Sequence, residues 1–176
     1  MKAFATALLV LVAACGEGRV ILNVDVLSFL SSADSTTTYD VPGGIPQADS
    51  SLSQLIPLPG GLGKSSVDSV SATAAAIIEN TTGSGSVQFD VFFAKTQGSL
   101  FTGTPYLSAA SGPIVGADTV QLLPPTSVSL ADTVFNTDSL WVGIRARIST
   151  NAGPNMTGQF RLTTLGLRIA VQDKLF

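Results

Sequence analysis

Val87-Gln88-Phe89-Asp90-Val91-Phe92-Phe93-Ala94-Lys95 is the clearest alternating run in this chain. Val87, Phe89, Val91 and Phe93 fall on one side of an extended backbone, and Gln88, Asp90, Phe92 and Ala94 on the other. That is the period-two pattern of a half-buried strand, built from β-branched and aromatic residues that suit a pleated surface. Leu140 to Ile148 repeats it, with Leu140, Val142, Ile144, Ala146 and Ile148 inward and Trp141, Gly143, Arg145 and Arg147 outward. Val20 to Val26 does so again, setting Val20, Leu22, Val24 and Val26 against Asn23 and Asp25.

Working outward, Val67 to Glu79 fits two periods, since Val67, Val70, Ala74 and Ile77 also recur at helical spacing. The residues after it decide for a strand: Ile78 to Ser86 reads as a turn-rich loop leading into the Val87 run, which predicts a hairpin. Phe160 to Val171 is expected to pair back on Leu140 to Ile148 after the turn Asn151 to Asn155, with a bulge at Thr163-Thr164 where its phase slips. Short strands are predicted at Leu100 to Tyr106 and Thr119 to Leu123. Ser31 to Gly63 is rich in Ser, Thr, Asp, Pro and Gly, so any strand there is short or lies on an edge. The echo of Ala117-Asp118-Thr119-Val120 in Ala131-Asp132-Thr133-Val134 is too short for a repeat architecture. Together these runs predict an all-β fold, an antiparallel β-sandwich of the immunoglobulin-like or jelly-roll Greek-key kind with seven or eight strands.

The N-terminus reads differently. In MKAFATALLVLVAAC, Lys2 supplies a positive start, Phe4 to Val12 an apolar run too short to remain as a spanning helix, and Ala13-Ala14 the small residues of a cleavage site. These residues lead directly into Cys15, the sole cysteine, and Val12-Ala13-Ala14-Cys15 resembles the lipobox of bacterial lipoproteins. The resemblance covers the leader alone. It implies cleavage after residue 14, lipidation of Cys15 as the new N-terminus, a tether over 15–19 and one domain over 20–176. It also implies a membrane partner through the lipid, and a place in the cell envelope. With Gly16 rather than aspartate after the cysteine, it leans toward the outer membrane. Two or more acyl chains would make such an anchor effectively permanent.

Composition narrows the function. Loss of fourteen residues leaves 162, one domain of ordinary size, and removing Lys2 takes the net charge from −3 to −4. Charged residues are only 12% of the chain and no basic run occurs, which argues against nucleic acid as a partner. With Cys15 lipidated, no thiol is left for a disulfide, and no histidine exists to act as general base or metal ligand. None of Lys64, Lys95 and Lys174 has a serine three residues before it, and no Gly-x-Ser-x-Gly elbow is present. Gly60-Gly61-Leu62-Gly63-Lys64-Ser65-Ser66 looks like the end of a phosphate loop, but the first glycine of that motif would fall at Leu58, with Pro57 and Pro59 in the required strand. Asp34, Asp40 and Asp49 lack calcium-loop spacing and read as turn caps, as do Asn80 and Asn155 of the two Asn-x-Thr sequons.

No catalytic, cofactor or metal residues are therefore expected. The remaining candidate is a surface formed by Trp141, Arg145, Arg147 and Phe92, on which a sugar ring or protein could stack unless loops cover it. The expected function is a non-catalytic structural or protein-interaction module at the cell envelope, its alternative a carbohydrate or other ligand-binding module using Trp141 and nearby loops. The partner would be an envelope protein or a glycan. The sequence leaves strand order and oligomeric state open.

Overall fold

A computed structural model describes residues 18–58 and 66–173. Cys15 and the glycine-rich stretch 60–65 lie outside the described residues. Eleven strands occur among those described: β1 (Gly18–Asp25), β2 (Thr36–Val41), β3 (Ala48–Pro57), β4 (Ser66–Thr82), β5 (Ser84–Ala94), β6 (Leu107–Ala110), β7 (Ile114–Val115), β8 (Asp118–Leu122), β9 (Ser127–Leu130), β10 (Ser139–Thr150) and β11 (Met156–Asp173). One short helix, α1 (Ser32–Ser35), is closed by a capping box between Ser31 and Asp34.

Two antiparallel sheets pack face to face. The first has the order β1-β11-β4-β8, with β2 continuing the β1 side of β11 and β9 continuing the β8 side of β4. The second has the order β3-β10-β5-β6, with β7 continuing β6 along β5. Counted as columns, these are eight strands, of which three are broken in two. Pro113 interrupts β6 and β7, Pro124 and Pro125 interrupt β8 and β9, and α1 lies between β1 and β2. Proline removes a ladder donor, so two of the three breaks fall where the sequence places it. The chain visits the sheets in the order first, second, first, second, second, first, second, first, which is the double Greek key of a jelly roll.

β4 is a strand, 17 residues long, because its even positions from Val70 to Asn80 are all buried while Ser69, Ser71 and Thr73 point outward. The inward alanines 72, 74 and 76 and the rings of Phe89 and Phe93 from the opposite sheet belong to one core cluster, small residues on one layer balancing bulky ones on the other. Each large side chain buried there contributes roughly 1.5–3 kcal/mol. The predicted bulge is present: the β11 register on β4 shifts between Leu162 and Thr164.

Several pairings differ from expectation. β4 and β5 do not form a hairpin; the chain crosses from one sheet to the other at Gly83, whose φ of +75° only glycine adopts readily. The residues expected to form the loop are instead the ends of two long strands. Asn80, expected in a turn, is buried in β4, where its amide donates to the carbonyls of Thr82 (3.0 Å) and Gly116 (2.6 Å) and its oxygen accepts from Tyr39 (2.9 Å). β11 does not pair back on β10 either, since these two also lie in opposite sheets. Leu100 to Tyr106 is not a strand but part of a flap over the second sheet. Gly18 and Arg19, expected in the tether, belong to β1, paired with Asp173 and Gln172.

Candidate functional site

The outward face of the second sheet carries the four residues singled out from the sequence. Register places Asp49, Arg147 and Gln88 side by side across β3, β10 and β5, then Ser51, Arg145 and Asp90, then Ser53, Gly143 and Phe92, then Leu55, Trp141 and Ala94. Phe92 is buried although it points away from the core, and Trp141 is half-buried. The cause is the flap after β5. A 3-10 turn at Gln97–Ser99 folds Leu100 and Phe101 back over Gly143, and Gln97 donates to Ser53 Oγ on β3 at 3.2 Å. A Cβ at position 143 would stand 2.8 Å from both Leu100 Cγ and Phe101 Cε1, so glycine is what admits the flap. The Phe92 and Phe101 rings meet edge to face at 5.3 Å.

Beside this apolar cover sits a charged cluster. Asp90 is completely buried and accepts hydrogen bonds from Ser108 (2.7 Å), Gln88 (3.0 Å) and Arg147, with the Arg145 guanidinium 3.6 Å away. Burial alone would raise the Asp90 carboxyl, but hydrogen bonds from Ser108, Gln88 and Arg147, with the charge of Arg147, outweigh it and hold the group below its ordinary range. Arg145 also lies over Phe92, its Cζ 4.7 Å from the ring centroid. The four sequence candidates are thus brought together, but as a packed unit in which the Arg145 guanidinium and the flap cover Phe92 and Trp141 stays half-buried at its margin.

A second arrangement was not singled out in the sequence. Under the other side of the flap, between β5 and β9, is a cup of about 460 Å³. Its walls include Ser99, Thr104 and Tyr106 of the flap, Phe92 of β5, Ser127 and Ser129 of β9, and Asp132. Ser127 and Ser129 pair with the buried Ala72 and Val70, so they face inward, while Val128 and Leu130 face solvent at 64% and 78% exposure. This strand is inverted: hydroxyls line the interior and aliphatic groups the outside. Tyr106 donates to Asp132 Oδ2 at 2.6 Å, and Asp132 Oδ1 accepts from the Val134 amide at 2.9 Å. Burial first, then the bond to Asp132 and its charge, push the Tyr106 phenol well above its usual range. Tyr106, Phe93 and Phe135 form a mutual aromatic triad with centroids 5.2 to 5.6 Å apart. The alternation Ser127-Val128-Ser129-Leu130 is visible in the sequence, yet which side faces the core is not.

A third opening, about 190 Å³, lies between the unpaired edges of β2 and β3. Its floor is apolar, from Ile144, Ala146, Ile148 and Phe160, and the small residues Thr37 and Ser50 are among its walls. Of the three aspartates expected to cap turns, only Asp34 does so, in the capping box with Ser31; Asp40 lies in β2 and accepts from the distant Asn155, and Asp49 lies in β3 and accepts from Gln47. Among the described residues, no three His, Cys, Asp or Glu side chains converge on a point that could hold a metal. No helix among them is long and apolar enough to cross a membrane.

No family model matches this chain, and no curated protein does. Solved structures similar to it include infectious bursal disease virus Gt strain, at 13% identity and a TM-score of 0.44 over 92% of this chain and 39% of that one. PirA is similar at 12% identity and a TM-score of 0.37, covering 76% of this chain and 97% of that one. The module TmCBM61, solved in complex with β-1,4-galactotriose, is similar at 10% identity and a TM-score of 0.32, covering 84% and 88%. The chain spans less than two fifths of the length of the viral chains it matches.

Proposed function

We propose that this chain is an envelope lipoprotein, acylated at Cys15, whose jelly-roll domain is a non-catalytic module that holds a protein partner along the free edge of β9. The inverted strand carries this reading. Val128 and Leu130 stand out from an edge that no strand covers among the described residues, and no charge occurs from Leu123 to Leu130. Pro124 and Pro125 break the edge before Ser127, but β9 itself carries neither proline nor charge, and an apolar, uncharged edge is a template for strand addition. Covering a valine and a leucine fully is worth roughly 1.5–3 kcal/mol each. The non-catalytic part is supported by the engagement of carboxylates in structural bonds: Asp90 with its arginines, Asp132 with Tyr106, Glu79 with Arg161 and Asp68 with Arg19. Stacking of a sugar on Trp141 and Phe92 would require the flap to lift, so the edge is the better-supported surface.

The experiment has two arms. Mass spectrometry of native material should find an acylated N-terminal Cys15, and an unprocessed Met1 would refute the anchoring. A photo-crosslinker at Leu130 in the intact cell should give one discrete adduct with an envelope protein, lost in Val128→Ser. Diffuse labelling that Val128→Ser leaves unchanged would refute the edge as the partner surface.

A further inference from the structure

We propose that the cup between the flap and β9 binds a small, neutral, polyhydroxylated ligand of about the size of a sugar ring. The lining selects that chemistry. Ser127, Ser129 and Thr104 line the cup, the two serines on the inward side of β9, and among the described residues none of the three makes a side-chain hydrogen bond to another protein group. A hydroxyl both donates and accepts, so three free ones match a ligand that does the same. Asp132 has each carboxylate oxygen engaged once, by Tyr106 and by the Val134 amide, which leaves a lone pair on each for a ligand hydroxyl. Pro105, only half-buried in the lining, gives the wall an apolar patch against which the C–H face of such a ring can lie.

Other ligand classes fit worse. An anion would meet the Asp132 carboxylate with no lysine or arginine in the lining. Calcium takes 6–8 oxygen ligands and usually several carboxylates, and the cup offers one. An apolar molecule would strip water from the hydroxyls without replacing their hydrogen bonds. At about 460 Å³ the cup is within the size range of small-molecule sites. The inverted β9 is the independent observation: a core-facing strand position in a sandwich is ordinarily apolar, and here serines occupy two in succession.

The site shares β9 with the proposed partner edge but uses the opposite face, so the two are separable by mutation. Titrating the full-length protein in detergent micelles with glucose, galactose, mannose and fucose, and with sodium sulfate, is the test, read by calorimetry and by amide shifts of residues 104, 127 and 129. At least one saccharide should bind saturably, sulfate should not, and Ser127→Ala with Ser129→Ala should weaken binding at least about tenfold. That variant should fold as the parent does, since the removed hydroxyls bond no protein group. Val128→Ser with Leu130→Ser should leave saccharide binding intact while removing the edge contact. The proposal is overturned if no saccharide in the panel saturates, if sulfate binds in its place, or if the alanine variant binds like the parent.

Discussion

Replacing Asp90 by Asn tests whether the charged cluster holds the outer face of the second sheet together. The carboxylate is fully buried and meets two guanidiniums, a hydroxyl and an amide. Asparagine keeps the shape and can still accept from Ser108 and Gln88, but it loses the charge and turns an amide N–H₂ toward donors. Removing one partner of a buried ion pair costs about 3–5 kcal/mol. The Arg145 and Arg147 side chains are 21% and 28% exposed, so water recovers part of that loss. The lower end, about 3 kcal/mol, is the expectation. In a domain of this size that lowers the thermal midpoint by roughly 6–12 °C. The pH dependence supplies a second check. Because folding lowers the Asp90 pKa, its contribution is present in full above the unfolded carboxylate value and fades as pH falls through the folded one. Urea titrations at neutral and acid pH should therefore show parent and variant converging as pH drops. A loss under about 1 kcal/mol at neutral pH, or a parallel acid decline in both proteins, would refute the account.

Gly143→Ala should drive Leu100 and Phe101 off the sheet at a cost of about 1–3 kcal/mol, and the emission of Trp141, the only tryptophan, should shift red; unchanged emission would refute flap docking. Gly83→Ala combines left-handed strain of about 1–3 kcal/mol with a Cβ 2.6 Å from Met156 Cα, so its loss in urea titration should far exceed that of Gly98→Ala, where nothing lies within 4 Å. Burial pushes the Tyr39 phenol up to about 12 and raises Tyr106 further, so stability should be full below pH of about 10 and fall as pH rises through the folded values; ultraviolet titration should show tyrosinate appearing only with unfolding, and early ionisation of either ring would contradict this. Ala146→Val fills part of the apolar slot between β2 and β3 and should stabilise by about 0.5–2 kcal/mol, measured by thermal midpoint; destabilisation would mean the slot is filled in the native protein.

The alternation of Val87 to Lys95 and of Leu140 to Ile148, the prolines at 113, 124 and 125 and the slip at Thr163-Thr164 are local properties, and they determined an all-β sandwich, its breaks and its bulge. Strand partners are not local. Turn chemistry at Gly83 and Asn151 to Asn155 says that the chain reverses, not whether it returns beside itself or crosses to the facing sheet, and here it crosses both times. The side-chain surface obeys the same division. Phe92 and Trp141 could be placed on the outward face by period alone, but only the folding of Leu100 and Phe101 over Gly143 made that face an interior. Ser127 and Ser129 could be seen to alternate with Val128 and Leu130, but only their pairing with Ala72 and Val70 turned the hydroxyls inward. A two-residue period has no sign of its own; the neighbouring strand supplies it.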